Sequence, residues 1–241
     1  RLGLSYPVIR SRSKNLYAKA ALTAHRGEID LPELRASNDQ TRALRVAAVY
    51  DSTDRWQGVN SVEAELSQGI NALGASKNSS AEFSRARGRS DFVKLTVQAA
   101  RLQALQQQWS LLGAVRGQYA FTDLLVPELF TFGGEQFGRG YDSAELAGDH
   151  GAAVKLELRY SGAHKQAKIN GYTLYGFWDA GKVWMRRPSA ERGEKARDSA
   201  ASAGVGARMN VGEHASTFVE LAKPLTHPVA QENNKHPRLM A

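Results

Sequence analysis

From Gly151 to Ser161 the side chains alternate: Val154, Leu156, Leu158 and Tyr160 fall on one side, Lys155, Glu157 and Arg159 on the other. A period of two places successive residues on opposite faces of an extended strand, and helical spacing does not fit it. The pattern recurs along the chain. Val62, Ala64, Leu66 and Ile70 oppose Ser61, Glu63, Glu65 and Ser67, while Val93, Leu95, Val97 and Ala99 oppose Lys94, Thr96 and Gln98. Strands are predicted at 2–10, 15–26, 42–51, 58–70, 90–103, 108–121, 150–161, 169–184, 199–211 and 215–225, with an eleventh starting near 238. Many are 10 to 15 residues long, against about five or six in an ordinary soluble sheet.

The gaps between these strands alternate as well. Short connections (11–14, 52–57, 104–107, 162–168, 212–214) take turns with long ones (27–41, 71–89, 122–149, 185–198, 226–237). An antiparallel meander with short turns at one end and long polar loops at the other is the build of a bacterial outer-membrane barrel. A soluble barrel or sandwich shares the alternation, but its apolar face fills a packed interior and is rich in large residues. Here that face carries Ala201, Ala203, Val205 and Ala207, and the opposite face carries Lys, Arg, Glu and Gln on strand after strand. The pattern favours small residues towards lipid and a charged, wet lumen. The expected fold class is all-β, a transmembrane antiparallel up-and-down β-barrel.

Composition narrows the function classes. No run of 18 apolar residues exists in the 241, which excludes a transmembrane helix and leaves a barrel open. The net charge is +8, but the basic residues are scattered, with no basic helix or aromatic-interleaved platform, so no nucleic-acid partner is expected. Without cysteine there is no disulfide scaffold and no thiolate metal site. His25, His150, His164, His214, His227 and His236 lack ligand spacing, and no phosphate loop or G-x-S-x-G elbow is present. Neither metal, cofactor nor enzymatic activity is expected.

The connection 122–149 is exceptional. Loops beyond about 12 to 15 residues are uncommon unless functional or disordered, and this one is too apolar for disorder, with Leu124, Leu125, Val126, Leu129, Phe130, Phe132, Phe137 and Tyr141. Its segment FGGEQFGRGYD packs four glycines, three aromatics and one arginine into residues 132–142. Glu157 lies on the polar face of its strand, and Asp179 alternates with Trp178 and Ala180 on the next, so both carboxylates are predicted to point inwards. Mid-strand aspartate is disfavoured by β propensity. A guanidinium carried in by a folded-back loop could bond both, having five donors in a fixed fork. Gly138 and Gly140 would let the backbone turn tightly and approach the wall, and Tyr141 would pack on it.

The stretch RGQYAFTDLLVPELFTFGGEQFGRGYDSAELAGDHG resembles the sixth-loop region of the two-partner secretion transporters, the haemolysin and filamentous-haemagglutinin secretion type. They belong to the outer-membrane superfamily that includes the barrel assembly factor. The family's Arg-Gly-aromatic signature is matched by Arg139, Gly140 and Tyr141, followed by Asp142, and its paired glycine by Gly133 and Gly134. GFWDAGKVW is similar to the family's strand motif, matched by Phe177, Asp179 and Gly181. GLSYP and SDFVKLTVQAARLQAL extend the likeness over nearly the whole chain.

The resemblance implies a sixteen-stranded barrel of which residues 1–241 hold about strands six to sixteen. The chain starts at Arg1 and stops inside the strand-like RLMA, so it reads as an internal piece, with POTRA domains and early strands upstream. It further implies that Arg139 meets the aspartate inside the lumen, that the location is the Gram-negative outer membrane with its lipid and lipopolysaccharide, and that the partner is a secreted exoprotein such as a haemolysin or adhesin. Alternatives are an outer-membrane insertase of the same superfamily and a passive porin; an outer-membrane hydrolase would need a constellation that is not seen.

Overall fold

A computed structural model describes residues 1–31, 34–76, 84–85, 87–164, 169–189, 194–211 and 215–240. The elements in chain order are β1 (Leu2–Arg10), β2 (Lys14–Leu31), β3 (Leu34–Thr53), β4 (Gly58–Gly69), β5 (Val93–Gln106), β6 (Trp109–Ala120), β7 (Phe130–Phe132), β8 (Leu146–Gly148), β9 (His150–His164), β10 (Ile169–Trp184), β11 (Arg197–Val211), β12 (Ala215–Pro224) and β13 (Arg238–Met240). Among the described residues the one helical piece is a single 3₁₀ turn, Val126–Glu128, and no helix is long and apolar enough to cross a membrane.

Eleven strands form one sheet in the order β1-β2-β3-β4-β5-β6-β9-β10-β11-β12-β13, and every neighbouring pair is antiparallel. This is the expected up-and-down meander, open between β1 and β13. The small β7–β8 hairpin stands apart inside the long connection before β9.

The strand expectations are met with several differences: β9 runs on to His164, past the expected 161, and β7 and β8 lie inside the expected connection 122–149. β2 and β3 continue as a paired hairpin up to Leu31 and Leu34, through most of what the sequence marks as a loop. Backbone pairing carries on there without a sustained apolar face to mark it in the sequence. β5 runs Val93–Gln106 in place of 90–103. Of the expected short connection 162–168, the first three residues belong to β9, while 165–168, the connection 212–214 and His214 fall outside the described residues.

The alternation becomes two faces. Outside, Leu156 pairs across Gly113 and Trp178, Leu158 across Leu111 and Gly176, and Val205 across Gly176 and Leu221. These side chains are exposed: Leu174 by 49%, Val115 by 49% and Val205 by 59%. A belt of large apolar groups facing out is expensive in water and natural in lipid. Its rims are aromatic. Trp109 meets Tyr160 edge-on at 5.1 Å near the short turns, and Tyr119 meets Phe121 at 5.0 Å near the long loops. Trp109 and Tyr119 are ten residues apart on β6; at about 3.3 Å per residue and a tilt near 40° this spans about 25 Å of height, the apolar band of an outer-membrane barrel.

The core lies between the inner face and the 121–149 segment. Leu124 packs with Ala43, Phe92 and Ala120 on the β3–β6 side, and Phe130, Phe132, Tyr141 and Leu146 pack with Ala153, Val183 and Ala200 on the β9–β11 side. One segment thus touches inner-face residues from β3 to β11, so the sheet curls around it. In the β9–β11 cluster the aromatic side chains come from the loop, while Ala153, Val183 and Ala200 of the wall are smaller.

Candidate functional site: the inward loop and its arginine

The loop reaches the wall through two aromatic residues seated on glycines. A Cβ at Gly151 would fall 2.0 Å from the Phe130 ring, and one at Gly181 would fall 2.2 Å from the Phe132 ring. Only glycine leaves room for rings pressed this close to the strand backbone. Beyond Phe132 the backbone turns: Gly133, Gly134 and Gly138 have φ of 118°, 91° and 88°, values that L side chains rarely adopt. Gly133 N–H donates to Phe137 O at 2.9 Å and Gly134 N–H to Tyr141 O at 3.2 Å, closing the tip on itself. Gly140 lies against the wall, where a Cβ would come within 2.8 Å of Ser202 Cβ and 2.9 Å of the Lys223 backbone.

This turn delivers Arg139 to the inner face of β9, β10 and β12. Nε and Nη2 donate to the two oxygens of Asp179, both at 3.0 Å. Nη1 donates to Glu157 Oε2 at 2.7 Å and to Glu220 Oε2 at 3.3 Å. The backbone N–H groups of Gly138 and Arg139 add two further bonds to Asp179 Oδ2, each 3.2 Å. Arg139 is 4% exposed, Glu157 1% and Asp179 0%.

The guanidinium also lies over the Phe177 ring at 3.5 Å, a cation–π contact that strengthens when water is excluded. The wall is shaped for it. Phe177 registers with Glu157 on one side and Gly204 on the other, and Tyr175 registers with Gly206, which registers with Glu220. Without side chains at 204 and 206, the two rings lie down over β11. Glu220 therefore reaches Arg139 across a strand that contributes only glycine there.

Three carboxylates around one cation would repel one another. Arg159 Nε donates to Glu157 Oε1 at 2.7 Å, Arg208 Nη1 to the same oxygen at 3.2 Å, and Tyr175 O–H to Glu220 Oε2 at 2.8 Å. Three arginines balance three acids. Tyr141 O–H bonds with Thr226 Oγ1 at 2.8 Å, and Arg238 reaches Asp142 Oδ1 at 2.6 Å, tying the motif to the end of the sheet.

All the residues singled out in the sequence, Gly133, Gly134, Gly138, Arg139, Gly140, Tyr141, Asp142, Glu157, Phe177, Asp179 and Gly181, thus fall into one neighbourhood. Glu220, Arg159, Arg208 and Tyr175 were not anticipated. Their inward position was available from alternation; their convergence depends on strand order and register.

A second charged cluster ties the long loops together. Arg85 grips Asp149 with two bonds, 2.8 and 3.2 Å, and donates to Glu194 at 3.1 Å. Asp149 also accepts the N–H groups of Leu124 and Arg186 at 2.9 and 3.0 Å, and Asp123 pairs with Arg187. Burial on its own would raise the Asp149 and Glu194 carboxyls, but Arg85 and the backbone N–H donors hold both below the ordinary carboxylate range.

Solved structures of CdiB from two organisms are among those that share this architecture. CdiB from Escherichia coli superposes with a TM-score of 0.82 at 17% identity over 98% of this chain and 43% of that one. CdiB from Acinetobacter baumannii gives 0.72 at 15% identity, over 98% and 40%. The chain spans less than half the length of either, and identities this low speak for the fold alone. No curated protein sequence matches the chain. Residues 1–209 match the family model "Haemolysin secretion/activation protein ShlB/FhaC/HecB". With most of its length covered by that match, the chain belongs to the ShlB/FhaC/HecB family of haemolysin secretion/activation proteins.

Proposed function

We propose that this chain is the C-terminal part of an outer-membrane barrel, about strands six to sixteen of sixteen, that secretes and activates an unfolded exoprotein of the haemolysin or adhesin type in two-partner secretion. It acts as a translocator and not as an enzyme. The outward apolar belt, about 25 Å tall between aromatic rims, supports the membrane setting, with outer-membrane lipid and lipopolysaccharide around it. The observation that carries the reading is Arg139, borne on a loop folded inside the sheet and bonded to carboxylates from three strands. A passive pore gains nothing from an interior strut of this kind. A translocator needs its lumen closed when idle and a part that is displaced when cargo passes.

The test is co-expression of the full-length transporter with its exoprotein in a heterologous Gram-negative cell. The exoprotein is expected in the medium only when the transporter is present. Periplasmic retention despite a membrane-inserted transporter would contradict the reading.

A further inference from the structure

The loop carries a second buried contact, of opposite sign, eleven residues before Arg139. Glu128 ends the 3₁₀ turn and is 4% exposed. Its Oε1 accepts from Arg45 Nη2 at 2.7 Å, and Oε2 lies 2.9 Å from Lys94 Nζ. Its backbone carbonyl accepts from Lys94 Nζ at 2.8 Å and from Gln118 Nε2 at 3.1 Å. Arg45 is itself held by Ser67 Oγ at 2.8 Å, Thr23 Oγ1 at 3.2 Å and Glu65 Oε1 at 3.4 Å. Five consecutive strands, β2 to β6, therefore take part in holding one loop residue, β3 and β5 at its carboxylate, β5 and β6 at its backbone carbonyl, and β2 and β4 through Arg45; none of them is a strand that holds Arg139.

We propose that Glu128 is a second, charge-reversed anchor that holds the root of the loop to β3, β5 and β6 independently of Arg139. The loop is then a strut fixed at two ends. Reversal of sign makes the ends non-interchangeable: a released Arg139 is repelled by Arg45 and Lys94, and a released Glu128 by Glu157, Asp179 and Glu220. Each end can return only to its own wall, specificity obtained by building repulsion into the wrong contact. Release at Arg139 swings residues 130–142 away while the root stays. Use of this motion in export rests on the transport reading above; the anchoring does not.

These 241 residues contain no cysteine, so single spin labels can be placed at Val126, beside Glu128, and at Gln136, near the tip, in the full-length protein reconstituted in lipid vesicles. Glu128→Gln, which keeps the side-chain volume, is expected to raise the mobile fraction at 126 about tenfold and leave 136 immobile. Arg139→Ala is expected to do the reverse. Lys94→Met, which acts from the wall, should reproduce the Glu128→Gln pattern in weaker form. An unchanged label at 126 in Glu128→Gln, or labels at 126 and 136 that loosen together in either variant, would overturn the proposal. Export is scored on the same variants: site-specific loosening in a protein whose wild type exports nothing leaves the anchor standing and removes the transport reading.

Discussion

At the scale of single residues, the arrangement depends on which positions lack a side chain. Gly181 and Gly176 lie on the same strand, facing in and out. A Cβ at Gly181 would strike Phe132, whereas at Gly176 the nearest atom is 3.9 Å away. Gly181→Ala is expected to unseat Phe132 and destabilise the loop by about 1–3 kcal/mol, seen as faster proteolysis of residues 130–142. Gly176→Ala should behave as wild type. Arg139→Lys keeps the charge but has neither the planar fork nor the second donor pair, so it cannot hold Asp179 and Glu157 together; export should fall well below wild type and stay above that of Arg139→Ala. Phe177, Asp179 and Gly181 were legible as a motif. Glu220 was not, because a glutamate on an alternating strand reads as one more inward polar group until register sets it across Gly206.

Among the elements, the long strands were legible because burial of one face writes itself into every second residue. β7 and β8 were not: three residues each are too few to show a period, and Phe130 and Phe132 read as loop hydrophobics. The pairing of loops through Arg85, Asp149 and Glu194 was equally hidden, since it joins residues 64 and 109 positions apart. Both carboxyls are depressed when folded, so their contribution is fully present above the ordinary carboxylate pKa of about 4 and is lost as pH falls through the depressed values. Loop protection from an acid-stable protease should therefore fall below about pH 4, and Arg85→Gln should weaken that dependence, leaving the part held by backbone N–H donors, while lowering protection at neutral pH. An acid-induced drop in the variant as large as in wild type would contradict the assignment to this cluster.

For the whole molecule, the sheet inverts the usual soluble arrangement, with large apolar residues outside and a core of loop aromatics on small wall residues. The meander was visible in spacing alone, although one of its expected long connections, 27–41, is mostly paired strand. That the longest connection folds inside is not a property of spacing; it follows from the apolar residues that make the loop unfit for water and from the glycines that receive them. Midway between the aromatic rims on β6 is Ala114, which registers with Lys155, so Leu156 sits near the centre of the outer belt. Leu156→Arg should cost about 2–4 kcal/mol of folding into lipid, measured by denaturant titration in vesicles. A cost near zero would mean that this face does not meet a bilayer.

In the transport reading proposed above, the loop works through Arg139 and its wall of carboxylates. Removing one partner of a buried charged cluster typically costs about 3–5 kcal/mol locally, while the strands that hold the barrel are paired independently of the loop. The decisive measurement is exoprotein in the medium per molecule of transporter in the outer membrane, wild type against Arg139→Ala. The variant is expected as an inserted, heat-modifiable barrel at near wild-type abundance with export largely abolished; wild-type export from it would contradict a working role for Arg139.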